Sequence, residues 1–177
     1  MHQPRRDADA VEHESHAVRP GNFQSGCGLD RHARRDAAFS LRVLEALSSS
    51  SELAARPEFQ NELAYLQILL GQPAAIDALG QRVDADPDDL ANLSVLAFHN
   101  LKTGNAGTAM ALFDGYGPDV DARTLPARIL TIYSATLAAN GKKDLALKIA
   151  SLIPREAPTR QEVEFLKTQL QPGQKPR

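Results

Sequence analysis

The sequence predicts an all-α protein built from antiparallel helix–turn–helix repeats. Three observations carry that expectation. Gly71, Gly104 and Gly141 stand at the same place in three similar stretches, spaced by 33 residues (71 to 104) and 37 residues (104 to 141). Small and large apolar residues recur at fixed distances from each glycine. Aromatic residues make up only 5% of a chain that is 42% hydrophobic. Strands want aromatic and β-branched side chains, so this composition favours helices.

The central stretch Leu90–Phe113 defines the unit: a helix, a turn at Gly104 and a return helix. Seven residues before the three glycines stand Ala64, Ala97 and Ser134, each preceded by a large residue (Leu63, Leu96, Tyr133). Five residues after them stand Ile76, Ala109 and Ala146, and eight after stand Leu79, Leu112 and Ile149. Small residues let two helices approach, and large ones fill the space beside them. Glycine suits the turn because it takes a left-handed backbone without steric cost.

This pattern resembles the tetratricopeptide repeat, a helix–turn–helix unit of about 34 residues with a W-x2-L-G-x2-Y…A-x3-F…P signature. The second copy has Leu93 at the Trp place, Leu96-Ala97 at Leu-Gly, then Ala109 and Phe113. The third has Leu130, Tyr133-Ser134, Ala146, Ala150 and the closing Pro158. The first has Leu63-Ala64, but Ile76 replaces the alanine and Pro87 falls one place early. No copy has the Trp, and Gln67, Asn100 and Leu137 stand where Tyr is usual. The resemblance covers about residues 57–158. It implies hairpins stacked as a short right-handed α-solenoid, with repeats at about 57–89, 90–126 and 127–158. The alternative is an unrelated bundle of helical hairpins.

Taken in order, residues 1–36 carry six basic and six acidic residues, few large apolar ones and no helical period. Such a segment buries too little apolar surface to offset its ordering entropy, so a disordered tail is expected. Its composition also suggests that translation starts elsewhere, or that the domain belongs to a longer repeat protein. His13 and His16, beside Glu12 and Glu14, have no second ligand pair, so no metal site is expected. Ala37–Leu47 reads as a capping helix with Phe39, Val43 and Leu47 along one apolar face and Leu44 and Ala46 near it. Ser48–Ser51 breaks it. Pro57 fits a helix start, and Leu63, Ala64, Leu66 and Leu70 mark that helix's buried face. Ala74–Val83 runs back, and Asp88 or Asp89 caps the helix that follows.

Ala106–Phe113 closes the second hairpin. Gly115-Tyr116-Gly117-Pro118 is read as a loop between repeats, since no G-x-x-x-x-G-K-[ST] pattern or preceding strand supports a phosphate site. Thr124 and Pro126 open the third repeat, whose return helix is expected at Leu145–Ile153. Thr159-Arg160-Gln161-Glu162 is a capping box that starts a last helix over about 159–170. Val163, Phe165, Leu166 and Leu170 form its apolar stripe, as a terminal cap requires. Residues 171–177 are read as a frayed tail.

The function expected from the resemblance is a non-catalytic scaffold that holds a peptide or protein segment. In that family the first helices line a concave groove. The matching places here are Glu58, Asn61, Tyr65 and Ile68, then Ser94, Phe98, Leu101 and Lys102, then Arg128, Thr131 and Ala135. Asn61, Tyr65, Phe98, Lys102, Arg128 and Thr131 are the expected partner contacts. Only Asn61, Lys102 and Arg128 echo the carboxylate clamp of chaperone-tail binders, so that specificity is not expected. The alternative is a structural C-terminal segment, or self-association module, of a larger repeat protein.

Other classes find little support. A net charge of −2 gives no basic stripe for nucleic acid. No run reaches the roughly 18 apolar residues of a membrane helix, and no signal peptide is seen, so a cytoplasmic location is expected. Cys27 is the single cysteine, which excludes an intramolecular disulfide. There is no Ser-His-Asp spacing, no H-E-x-x-H and no C-x-x-C. His99 sits among apolar neighbours as a packed or edge residue. Neither catalysis nor a cofactor is expected.

Overall fold

The computed structural model describes residues 36–114, 122–155 and 157–171. Among these residues the protein is all-helical, without a strand. The helices are α1 (Ala37–Leu47), α2 (Ser51–Ala54), α3 (Pro57–Leu69), α4 (Ile76–Ala85), α5 (Leu90–Lys102), α6 (Ala106–Phe113), α7 (Ala127–Ala139), α8 (Lys143–Ala150) and α9 (Arg160–Leu170). A 3-10 turn, Ala122–Thr124, leads into α7. Of the expected N-terminal tail only Asp36 is described, and of the C-terminal tail only Gln171. The loop at 115–121 also lies outside the described residues.

The three turns are the same device. Gly71, Gly104 and Gly141 have φ of 72°, 84° and 78°, a backbone that side chains with a Cβ resist. Each turn is closed by one long hydrogen bond: Gln72 N–H to Gln67 O (2.8 Å), Asn105 N–H to Asn100 O (2.8 Å) and Lys142 N–H to Leu137 O (2.9 Å). That is the Schellman pattern, which satisfies carbonyls left open at the end of a helix.

After these turns α6 packs against α5, and α8 against α7. Ala109 and Ala146 are fully buried at the crossings, and the Ser134 hydroxyl donates to Ala146 O at 2.7 Å. The first copy differs. There α4 packs mainly on α5 rather than on its own partner α3. It is the copy with Ile76, rather than an alanine, at the close-packing place. Arg82 of α4 spans the gap, donating to Gln60 on α3 (2.9 Å) and Asn92 on α5 (3.4 Å).

Helices α3, α5 and α7 lie side by side, and their shared core includes Tyr65, Leu66, Ile68, Val95, Phe98 and Ile132. Polar ties cross between hairpins. Lys102 Nζ donates to Leu69 O at the end of α3 (3.4 Å), and Asn140 Nδ2 donates to Ala106 O (2.9 Å). Asp89 caps α5, accepting from Ala91 N and Asn92 N. Helix α4 starts two residues later than expected, at Ile76, and α8 stops at Ala150 rather than Ile153.

One expectation is corrected. Helix α1 packs on α3 through Ala37, Leu41 and Leu44, and Phe39, Val43 and Leu47 point outward, each about two-fifths exposed. Both rows have helical spacing, and the row that includes alanine lets α1 approach more closely. Helix α9 starts at the expected capping box, and the sequence reading left its docking surface open. It covers more than the last hairpin, running across α3, α5 and α7.

Candidate functional site

The candidate groove residues come together, but under a lid. Tyr65 of α3 and Phe98 of α5 stack with ring centroids 5.2 Å apart. The Arg128 guanidinium of α7 lies 4.0 Å from the centre of the Tyr65 ring. Residues on three successive hairpins thus form one surface. Yet Tyr65 and Phe98 are each only 1% exposed, and Thr131 only 3%. The expectation that these three are free contact residues is therefore corrected. Thr131 spends its hydroxyl on Ala127 O of its own helix, at 2.9 Å. Asn61 and Arg128 are half-buried, and Lys102 is exposed.

The cover is α9, and it is held at two points. Phe165 meets Phe98 edge-on, with centroids 5.0 Å apart at 84°, and Lys102 Nζ sits 5.7 Å above the Phe165 ring. One turn earlier Glu162 enters the surface and is 5% exposed. The Tyr65 hydroxyl donates to one of its oxygens, and Arg128 Nε lies 4.0 Å from that same oxygen. The other oxygen accepts from Thr159 N at 2.5 Å, and the Thr159 hydroxyl accepts from Glu162 N at 3.2 Å. This is the capping box expected from the sequence. Its acid also anchors the helix to the surface.

Charge is balanced here by pairing, with Arg128 and Glu62 each about one-third exposed and Glu162 buried. Arg128 Nη2 donates to Glu62 at 2.8 Å, and Nη1 donates to the second Glu62 oxygen. Burial works against the Arg128 charge, but the Glu62 contact and the neighbouring Tyr65 and Glu162 hold its pKa above the ordinary value. Burial pushes the Tyr65 hydroxyl well above the usual tyrosine range, and the Glu162 carboxylate adds to that shift. Two buried atoms in this region, Asn61 Oδ1 and Arg128 Nε, lack a hydrogen-bond partner. Asn61 and Arg128 both line a cleft bordered by Ser94, Pro158 and Glu162.

Glu62, Glu162 and Phe165 were missed as site residues. The sequence marks Glu162 only as a local cap, because Tyr65 stands 97 positions away. Among the described residues no group of three or more His, Cys, Asp or Glu side chains is placed to hold a metal ion. Among them no helix is long and apolar enough to cross a membrane. No protein-family model, curated protein or solved structure matches the chain. The tetratricopeptide resemblance therefore rests on the residues quoted above.

Proposed function

We propose that this protein is a non-catalytic interaction scaffold. It holds a helical peptide or protein segment on the surface of α3, α5 and α7. One observation carries the reading: that surface already receives an amphipathic helix, through an aromatic contact at Phe98 and a carboxylate contact at Tyr65 and Arg128. Laying an amphipathic helix along a groove is a common mode of peptide recognition. The tetratricopeptide resemblance points the same way.

The test is affinity capture with the full chain as bait. Phe165→Ala, which loosens the resident helix, should raise recovery of a partner. Adding Arg128→Ala should abolish that recovery. Lys148→Glu, at an exposed position on α8, should leave it unchanged. Recovery that ignores Arg128 but depends on Lys148 would refute the reading.

A second reading is a self-association module of a larger repeat protein. The outward row Phe39, Val43 and Leu47 favours it, being 43%, 42% and 43% exposed. Sedimentation of the full chain and of Val43→Asp tests it. A dimer lost in the variant would support self-association through α1.

A further inference from the structure

We infer that the surface of α3, α5 and α7 is a receptor for one class of helix, defined by a carboxylate in its first turn and a phenylalanine three residues later. Helix α9 is its resident and displaceable occupant. This deepens the proposed function and rests on it.

The recognition chemistry is complementary at both points. The tip of the acid meets a buried hydroxyl donor, Tyr65, and a guanidinium, Arg128, that Glu62 holds in place. The phenylalanine meets an aromatic edge contact below and an ammonium group above. Glu162 and Phe165 are one turn apart, so a single helix presents both to the same side. An extended peptide would place the two side chains on opposite faces and about 10 Å apart along the chain, and would miss one contact.

The packing of the occupant falls mainly on the receptor surface, most of all on α7. Glu164, Lys167 and Thr168, on the far side of α9, are exposed. Contacts to α8 are few compared with those to α7. Helix α9 is tied to the start of α1 by Gln161, which accepts from Ala37 N at 3.4 Å and donates to Asp36 at 3.3 Å, and its Leu170 packs against the cluster of Leu130, Leu137, Ala146 and Ile149. Its advantage over a partner helix is tethering, which gives a local concentration on the order of millimolar. A partner with the same acid and phenylalanine, plus contacts beyond α9's ends, overcomes that advantage.

The probe is a dye-labelled peptide with the sequence of residues 157–171, APTRQEVEFLKTQLQ, titrated into full-length chains and followed by anisotropy. The peptide should bind the Phe165→Ala chain at least tenfold more tightly than the wild-type chain. The same peptide with Glu162→Gln should bind about tenfold more weakly, and so should the intact peptide to a Phe165→Ala/Arg128→Ala chain. Absence of binding to Phe165→Ala, or equal binding of the two peptides, would overturn the inference.

Hydrogen exchange on the wild-type chain gives a second measurement that does not depend on a variant folding. Amides of α9 should exchange at least a hundredfold faster than those of α5. Exchange of α9 only together with α5 would show that α9 is not displaceable. A wild-type dimer that the peptide dissolves would assign the surface to α9 of a second copy and overturn the partner class. Peptide binding without an Arg128-dependent partner in capture would defeat the function and spare the receptor. The converse would spare the function and defeat this inference.

Discussion

Replacing Arg128 with alanine should release α9 before it unfolds the hairpins. Arg128 pairs with Glu62, covers the Tyr65 ring and approaches Glu162. The three losses differ in size. The Glu62 side chain is 36% exposed, so its carboxylate rehydrates, and the pair is worth about 1 kcal/mol or less. The Glu162 side chain is only 7% exposed and cannot rehydrate while α9 is docked. Breaking a buried pair costs about 3–5 kcal/mol. The separation here is 4.0 Å, and the Tyr65 hydroxyl and Thr159 N–H remain as donors. About 1–2 kcal/mol is therefore the expected share, and the cation–π contact adds roughly 0.5–1 kcal/mol. The Glu162 share falls on the docking of α9 and the Glu62 and Tyr65 shares fall between α3 and α7, while the turns and alanine crossings within the hairpins are untouched. Hydrogen exchange should show α9 amides accelerated by at least tenfold, with α5 and α7 amides nearly unchanged. Equal acceleration in all three helices would refute the division between a stable body and a docked helix.

Four further outcomes follow from the packing. Ala109→Leu and Ala146→Leu put a large side chain at a fully buried helix crossing and should each cost about 1–3 kcal/mol in chemical denaturation, whereas Ala74→Leu, half-buried, should cost less. Gly104→Ala should cost about 1–2 kcal/mol from backbone strain alone, because φ is +84° and an added Cβ meets nothing within 4 Å. Tyr65→Ala should lower the melting temperature as a core truncation, by about 3–5 kcal/mol in stability, so it cannot serve as a clean binding-site variant. The raised Tyr65 pKa favours the neutral hydroxyl in the folded state, so its contribution is complete below about pH 10 and fades as pH rises from there through the folded value. Denaturation midpoints measured above pH 10 should fall faster for the wild-type chain than for Tyr65→Phe.

How far the sequence could be read depends on the range of the interaction. Turns at Gly71, Gly104 and Gly141, the Asp89 cap and the Thr159–Glu162 box are settled within a few residues, and each is visible as a local pattern. Ala109 and Ala146 were legible because the repeat supplies their partner helix one turn away. The face of α1 was not legible. Phe39–Val43–Leu47 and Ala37–Leu41–Leu44 are both plausible stripes, and only the fit against α3 chooses between them. Side-by-side placement of Tyr65, Phe98 and Arg128 followed from the repeat register. Their burial did not, since it depends on where a single non-repeating helix lands.

The double use of Glu162 couples the folding of α9 to its docking. An isolated helix of 11 residues is marginal in water, and a good cap shifts that balance by only about 1 kcal/mol. In the docked state one carboxylate oxygen caps the helix and the other accepts a hydrogen bond from the Tyr65 hydroxyl. Each role fixes the side chain for the other, so the ordering entropy of Glu162 is lost once rather than twice. Helix α9 should therefore undock and fray as one event. The same coupling implies that a cap variant acts at a distance. Thr159→Ala removes the hydroxyl that accepts from Glu162 N but keeps the backbone N–H that holds the Glu162 carboxylate, so it loosens the first turn that carries Glu162 and thereby weakens the grip on Tyr65. Exchange at α9 should accelerate in Thr159→Ala by about fivefold or more, corresponding to the roughly 1 kcal/mol of a lost cap. An unchanged α9 would mean that cap and anchor act independently.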